Sequence, residues 1–256
     1  MNDPGLEQAI RAAGGITQLA RRIGISQPSI SNWGRIPAER VLAVEAATGI
    51  ARAILRPDLY AAGSGQLDAA DAARAQEYAL LATLLAGAPD GALLRRIARL
   101  RGDETPLGRA HAALAAAAGA TAAEAVAREY FELFIGIGRG ELLPYGSYYL
   151  TGFLNERPLA RLRADLAALG IERDAEASEP EDHAAILCEI MAGLVGGEFR
   201  APLDQQRQFH DKHLAPWIGR FFADLEAAKA ARFYRPVGAI GRLFSDIETQ
   251  AFALPG

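Results

Sequence analysis

From Asp68 to the C-terminus, apolar residues recur at helical spacing in one segment after another, and no convincing strand interrupts them. This periodicity constrains the chain most, because each apolar stripe can be buried only against other helices. Breakers set the lengths. Pro89-Asp90-Gly91, Gly119, the stretch from Gly136 to Gly146, and Gly196-Gly197 predict helices over 71–86, 91–101, 106–118, 121–134, 148–154, 157–169, 180–195, 202–213, 217–230 and 233–252. Abundant alanine and sparse β-branched residues point the same way. The expected class is all-α, with a small N-terminal helix-turn-helix domain and a larger C-terminal helical domain.

The domain division rests on charge and linker composition. Residues 1–60 hold seven arginines against five acids, a net of +2, so the remainder carries −6 of the total −4. A slightly basic head on an acidic body suggests that the two parts meet different partners. Ala61-Ala62-Gly63-Ser64-Gly65-Gln66 has no apolar period and reads as a linker, giving a head over 1–60, a linker over 61–70 and a body over 71–256. Cys188, a single cysteine, excludes an intramolecular disulfide and any multi-cysteine metal site built by this chain alone, which suits a reducing cytoplasm. No basic start followed by an apolar run opens the chain, and no apolar run reaches membrane-spanning length, so neither signal peptide nor membrane insertion is expected.

In the head, Leu6 to Ala13 reads as one helix ended by Gly14-Gly15, and Thr17 to Ile23 as a second. Gly24 then breaks the chain, and Ser26 caps a third helix that runs to Trp33. Small Ala20, turn-forming Gly24 and apolar Ile25 and Ile30 have helix-turn-helix spacing. Gln27, Pro28, Ser29 and Asn32 face outward on the third helix, where Gln and Asn suit adenine edges. Thr17, Gln18, Ser26 and Arg35 suit phosphates or base edges.

In the body, the most unusual chemistry is Glu179-Pro180-Glu181-Asp182-His183. Ser178 and Glu181 have capping-box spacing, with Pro180 in the first turn and an apolar stripe from Ile186 to Val195 behind. Asp182 and His183 are adjacent, so on a helix they diverge by about 100° and cannot form a triad relay. No catalytic residue is therefore assigned. At a helix start His183 should be neutral. An aromatic-rich helix and loop, carrying Glu129, Phe134, Pro144, Tyr145, Ser147 and Tyr148, suits peptide binding. The Gly136 to Gly140 run lacks the ending of a phosphate loop, and His210 and His213 lack a third metal ligand, so no metal is expected.

Two resemblances follow from these residues. Thr17 to Trp33, with Ile36-Pro37-Ala38-Glu39-Arg40 and Leu55-Arg56-Pro57-Asp58-Leu59-Tyr60 behind it, resembles the helix-turn-helix of Cro-type repressors in the YdaS-like branch. That implies a DNA-binding module, usually acting as a dimer on paired half-sites. Phe131 to Gly136, Leu143-Pro144-Tyr145-x-Ser147-x-Tyr149, Glu179 to His183, and His213-Leu214-x-Pro216-Trp217 occur in the order found in the TorD/DmsD/NarJ molybdoenzyme maturation chaperones.

The second resemblance implies a cytoplasmic, non-enzymatic chaperone. It would hold an apo-molybdoenzyme of the formate dehydrogenase or DMSO reductase type, often by its twin-arginine signal peptide, until molybdopterin is inserted. It carries a binding role onto Pro144, Tyr145, Ser147, Glu179, Pro180, Asp182 and His183. It implies no stably bound cofactor and leaves open a transient contact with molybdopterin or a guanine nucleotide. The usual members lack a DNA-binding head. The alternative is therefore a transcription regulator whose body senses client or cofactor.

Overall fold

A computed structural model describes residues 3–50, 52–57, 69–172, 179–199 and 201–254. Contacts divide the chain into two compact units, Met1–Ala69 and Ala70–Gly256. Most of the predicted linker lies outside the described residues. Its last two positions are already helical.

The head holds α1 (Pro4–Ala13), α2 (Ile16–Arg22), α3 (Gln27–Ser31), a short 3₁₀ turn, α4 (Val41–Thr48) and α5 (Arg52–Leu55). Asp3 caps α1 through its side chain, and Gly14 ends it at φ 85°, a conformation that glycine adopts without strain. Ser26 caps α3 by accepting from the Ser29 N–H. Leu6, Ala9, Leu19, Ala20, Ile30, Ile36, Val41, Val44 and Leu55 form the core. The third helix stops at Ser31, two residues before the predicted Trp33. The residues 33–37 that follow turn Ile36 into the core.

The body is built from α6 (Ala69–Ala86), α7 (Gly91–Ile97), α8 (Pro106–Ala120), α9 (Ala123–Tyr130), α10 (Gly146–Thr151), α11 (Arg157–Ala168), α12 (Ala184–Val195), α13 (Leu203–His213), α14 (Ile218–Ala227) and α15 (Tyr234–Ala253). The described residues contain no strand. None of their single helices is long and apolar enough to cross a membrane.

The central contact is α14 on α15. It is close because a Cβ at Gly238 would overlap the Glu226 backbone, and one at Gly241 would overlap the Phe222 ring. Trp217, Phe221, Phe222, Phe233 and Tyr234 are fully buried around this crossing. Across the core, Arg74 donates to both Glu248 oxygens at 2.7 and 2.8 Å, and Tyr78 donates to Glu248 at 3.0 Å, tying α6 to α15.

Two predicted helices change at their ends. After α9 the backbone widens into a π-helical turn, Phe131–Ile135. Such turns are uncommon and often mark functional regions. Here the turn buries Leu133 and leaves Phe131 and Ile135 exposed. The helix predicted from Pro180 begins at Ala184 instead. Pro180 to His183 is a turn closed by the His183 N–H on the Pro180 carbonyl at 3.0 Å. The cap is His183 itself, whose Nδ1 accepts from the Ala185 N–H at 3.1 Å. Ser178 of the predicted capping box lies outside the described residues.

Candidate functional site

The segments that carry the body's unusual residues meet in one clasp. Pro144 to Ser147 runs antiparallel to Asp182 to Ala184. The Ala184 N–H donates to the Pro144 carbonyl at 2.8 Å, and the Gly146 N–H donates to the Asp182 carbonyl at 2.9 Å. Asp182 Oδ2 accepts from the Ser147 N–H at 2.7 Å and so holds the first turn of α10. Tyr145 donates its hydroxyl to Glu179 at 2.6 Å and sets its ring edge-on to His183, with centroids 5.1 Å apart.

The His213 to Trp217 segment closes the back. Trp217 donates from Nε1 to the His213 carbonyl at 2.7 Å, and its indole packs against Gly146, where a Cβ would stand 3.0 Å from Nε1. Tyr149 lies against Trp217 and Phe221. His213 bonds Asp165 on α11 at 2.8 Å. His210 packs on Phe252. No group of three or more His, Cys, Asp or Glu side chains placed to hold a metal ion is present among the described residues.

This geometry corrects several expected roles. Pro144, Ser147, Asp182 and His183 are buried; Asp182 is 3% exposed, too little to grip a partner directly. They brace two loops. Glu129 is also buried, and its carboxylate accepts from the N–H groups of Arg232, Phe233 and Tyr234 at 2.8, 3.0 and 2.8 Å. It caps the start of α15 and does not face a partner. Phe134 packs on Tyr130 and Tyr234, half-buried. Glu179 is exposed, while Tyr145, Tyr148 and Pro180 are half-buried, so these four can touch a partner.

Asp182 and His183 each bond a backbone N–H and not one another. Asp182 reaches the Ser147 amide and not the imidazole, while the Ser147 hydroxyl is buried without a partner among the described residues. Burial lowers the His183 pKa against the opposing pull of Glu179 and Asp182. With Nδ1 accepting, the neutral ring carries its proton on Nε2. The cap therefore contributes stability above the ordinary pKa of 6.5 and loses it as pH falls below that value. Nitrogen NMR should find the Nε2–H tautomer at about pH 7. A charged His183 at that pH would contradict the assignment.

Sequence reasoning missed the surroundings of the clasp. Arg163 on α11 donates to Glu181 from Nε at 3.0 Å and Nη2 at 2.8 Å. No local pattern marks either residue, because the pair joins two separate segments. Beside it, α11 and α12 bound a groove of about 600 Å³. On the other side of the clasp, a cleft of about 430 Å³ reaches Asp182, His213 and Trp217.

In the head, all eight residues expected to face DNA (Thr17, Gln18, Ser26, Gln27, Pro28, Ser29, Asn32 and Arg35) are exposed. Three arginines there serve the fold. Arg22 donates to the Ala47 carbonyl, Arg52 pairs with Glu45, and Arg56 is buried on the Ile36 carbonyl.

The fold and site thus define a two-unit helical protein: a helix-turn-helix head, and a body whose sequence-distant motifs close into one clasp. Residues 101–223 match the family described as nitrate reductase delta subunit, and residues 6–63 match the family described as bacterial toxin YdaS. "Chaperone protein TorD" of Vibrio cholerae serotype O1 is 31% identical over 105 residues, covering 38% of this chain and 48% of the relative. The protein of the same name from Aliivibrio fischeri is 32% identical over 103 residues, covering 36% and 48%. The chain spans about half the length of these curated relatives. A solved redox enzyme maturation protein from Archaeoglobus fulgidus aligns with a TM-score of 0.46 and 21% identity, over 68% of this chain and 93% of that one.

Proposed function

We propose that the body is a maturation chaperone that holds the apo form of a molybdopterin-dependent oxidoreductase, of the formate dehydrogenase or DMSO reductase type, through its twin-arginine leader. The carrying observation is the clasp: Pro144 to Tyr149, Glu179 to His183 and His213 to Trp217 come together from three parts of the chain. These are segments on which the likeness to the TorD chaperones rests. Tyr145 and Glu179 present a ring and a carboxylate to a basic, apolar leader.

The test is capture by the tagged full chain of a formate dehydrogenase catalytic subunit that carries its leader. The subunit is made with and without molybdopterin synthesis. The apo form should co-purify and the loaded form should not. Equal capture of both forms, or capture of neither, would sink the reading.

The exposed face of α3 favours a second role for the head, binding DNA as part of regulation. With three arginines engaged in the fold, few cations remain for phosphates, and binding should weaken only modestly with salt. A gel shift on promoter DNA of the molybdoenzyme operon tests this. No shift at low salt would refute it.

A further inference from the structure

A cleft of about 350 Å³ opens where the loop after the π-helical turn meets α10 and α14. Arg139, Glu141, Tyr148, Tyr149, Arg220 and Asp224 carry its polar chemistry. Two cations and two carboxylates share this cleft without pairing. The Glu141 carboxylate accepts from the Lys229 and Ala230 N–H groups at 2.7 and 3.0 Å. Asp224 accepts from the Tyr149 hydroxyl at 2.9 Å. Both carboxylates thus serve the fold, and neither arginine forms an ion pair among the described residues.

The arginines are held by tyrosines instead. Arg139 donates to the Tyr148 hydroxyl at 2.6 Å, and its guanidinium lies 5.3 Å from the centre of that ring. Arg220 donates to the Tyr149 carbonyl, and its guanidinium lies 5.1 Å from the centre of the Tyr149 ring. The two rings meet edge to face, with centroids 6.0 Å apart. Both arginines are exposed, and a guanidinium has further N–H donors to offer a ligand. Holding them on rings lowers the cost of ordering them around that ligand.

Apolar side chains stand at both ends of the cleft. Ile137, two residues before Arg139, is fully exposed, and Phe153, beside Gly152 of the cleft, is 69% exposed. Tyrosine, arginine and exposed apolar groups together suit a protein partner. The charges narrow its chemistry. Glu141 and Asp224 offset the field of the arginines, so the cleft lacks the long-range pull that gathers a polyanion such as nucleic acid. What it offers is directional: two planar forks that fit discrete carboxylates.

We propose that this cleft binds an acidic segment of a partner protein, whose carboxylates meet Arg139 and Arg220 while its apolar side chains cover Ile137 and Phe153. This partner chemistry is the opposite of a basic leader. The clasp and the cleft share α10, yet they do not compete for one ligand. The proposal does not depend on the chaperone reading.

Fluorescence anisotropy with the full chain tests it. The probes are labelled peptides of about sixteen residues, with two glutamate pairs set at several spacings around leucine and phenylalanine, and the same peptides with glutamine for glutamate. At least one acidic spacing should bind, and its glutamine version should bind about tenfold more weakly. Arg139→Gln with Arg220→Gln should cost about tenfold or more. Arg139→Lys with Arg220→Lys keeps the charge but not the fork, and should still cost about threefold or more. Arg95→Gln with Arg96→Gln makes the same charge change as the glutamine pair on exposed residues of α7, and should leave affinity within about twofold.

No binding by any acidic peptide, an equal loss in the control pair, or full affinity in the lysine pair would overturn the proposal. So would binding of an oligothymidylate, or self-association in sedimentation, that depends on Arg139 and Arg220 and is tighter than peptide binding. None of these results bears on capture of the apo-enzyme, which tests the chaperone reading separately.

Discussion

Replacing Glu129 with alanine should lower the unfolding free energy of the body by about 3–5 kcal/mol. The carboxylate accepts from three backbone N–H groups at the start of α15, and it is 8% exposed. Arg232 is exposed, so its N–H can turn to water after the substitution. Phe233 and Tyr234 are 1% and 0% exposed, and their N–H groups would be stranded. A buried donor without an acceptor costs about 1–3 kcal/mol, and loss of the anion from the helix start adds to that. A domain of this size has only about 5–15 kcal/mol in all, so the loss is a large share. Glu129→Gln keeps one oxygen and should cost about half as much. Urea unfolding followed by circular dichroism measures both. A loss under about 1 kcal/mol for the alanine variant would remove the cap from the account.

Asp182→Ala should have the largest effect on client binding. It deletes the oxygen that holds the Ser147 N–H inside the clasp, at a cost of about 2–3 kcal/mol, and it frees the Tyr145 loop from the turn before α12. Since Glu179 depends on that turn, capture of the apo-enzyme should fall by at least about tenfold. Asp182→Asn separates the two explanations. It retains an acceptor for Ser147 but removes the charge. If Asp182 braces, the asparagine variant should bind within about threefold of the unaltered chain. If Asp182 instead met a client arginine directly, both variants would lose binding alike.

The helical class was legible because it depends on local information. Gly14, Gly24 and Ser26 signal the head's helix ends locally, and the structure places the ends of α1 and α2 within a residue or two of the expected positions. The small helices α4 and α5 are too short for a periodic signal and depend on burying Val41, Val44 and Leu55. In the body, the expected start of α12 at Pro180 failed for a non-local reason. The Ala184 N–H is taken by the Pro144 carbonyl, forty residues earlier, and that bond holds the preceding turn out of the helix.

Glu129 shows the same limit more sharply. Beside Tyr130 and Phe131 it reads as a surface acid among aromatics, but its three partners lie about a hundred residues away. Arg163 could not be singled out either, since an arginine on an amphipathic helix is ordinary until Glu181 is seen against it. The motifs in the order Pro144 to Tyr149, Glu179 to His183 and His213 to Trp217 were visible in the chain. That they close on one another was not, nor that closure buries Pro144, Ser147, Asp182 and His183 and leaves Tyr145, Tyr148, Glu179 and Pro180 at the surface.

The most direct measurement is amide hydrogen exchange of the full chain, alone and bound to the apo formate dehydrogenase subunit. The account predicts that binding slows exchange in residues 143–149 and in residues 179–190, with little change in α8 or at the α14–α15 crossing. Slowing confined to the head, or to faces of the body away from the clasp, would contradict it.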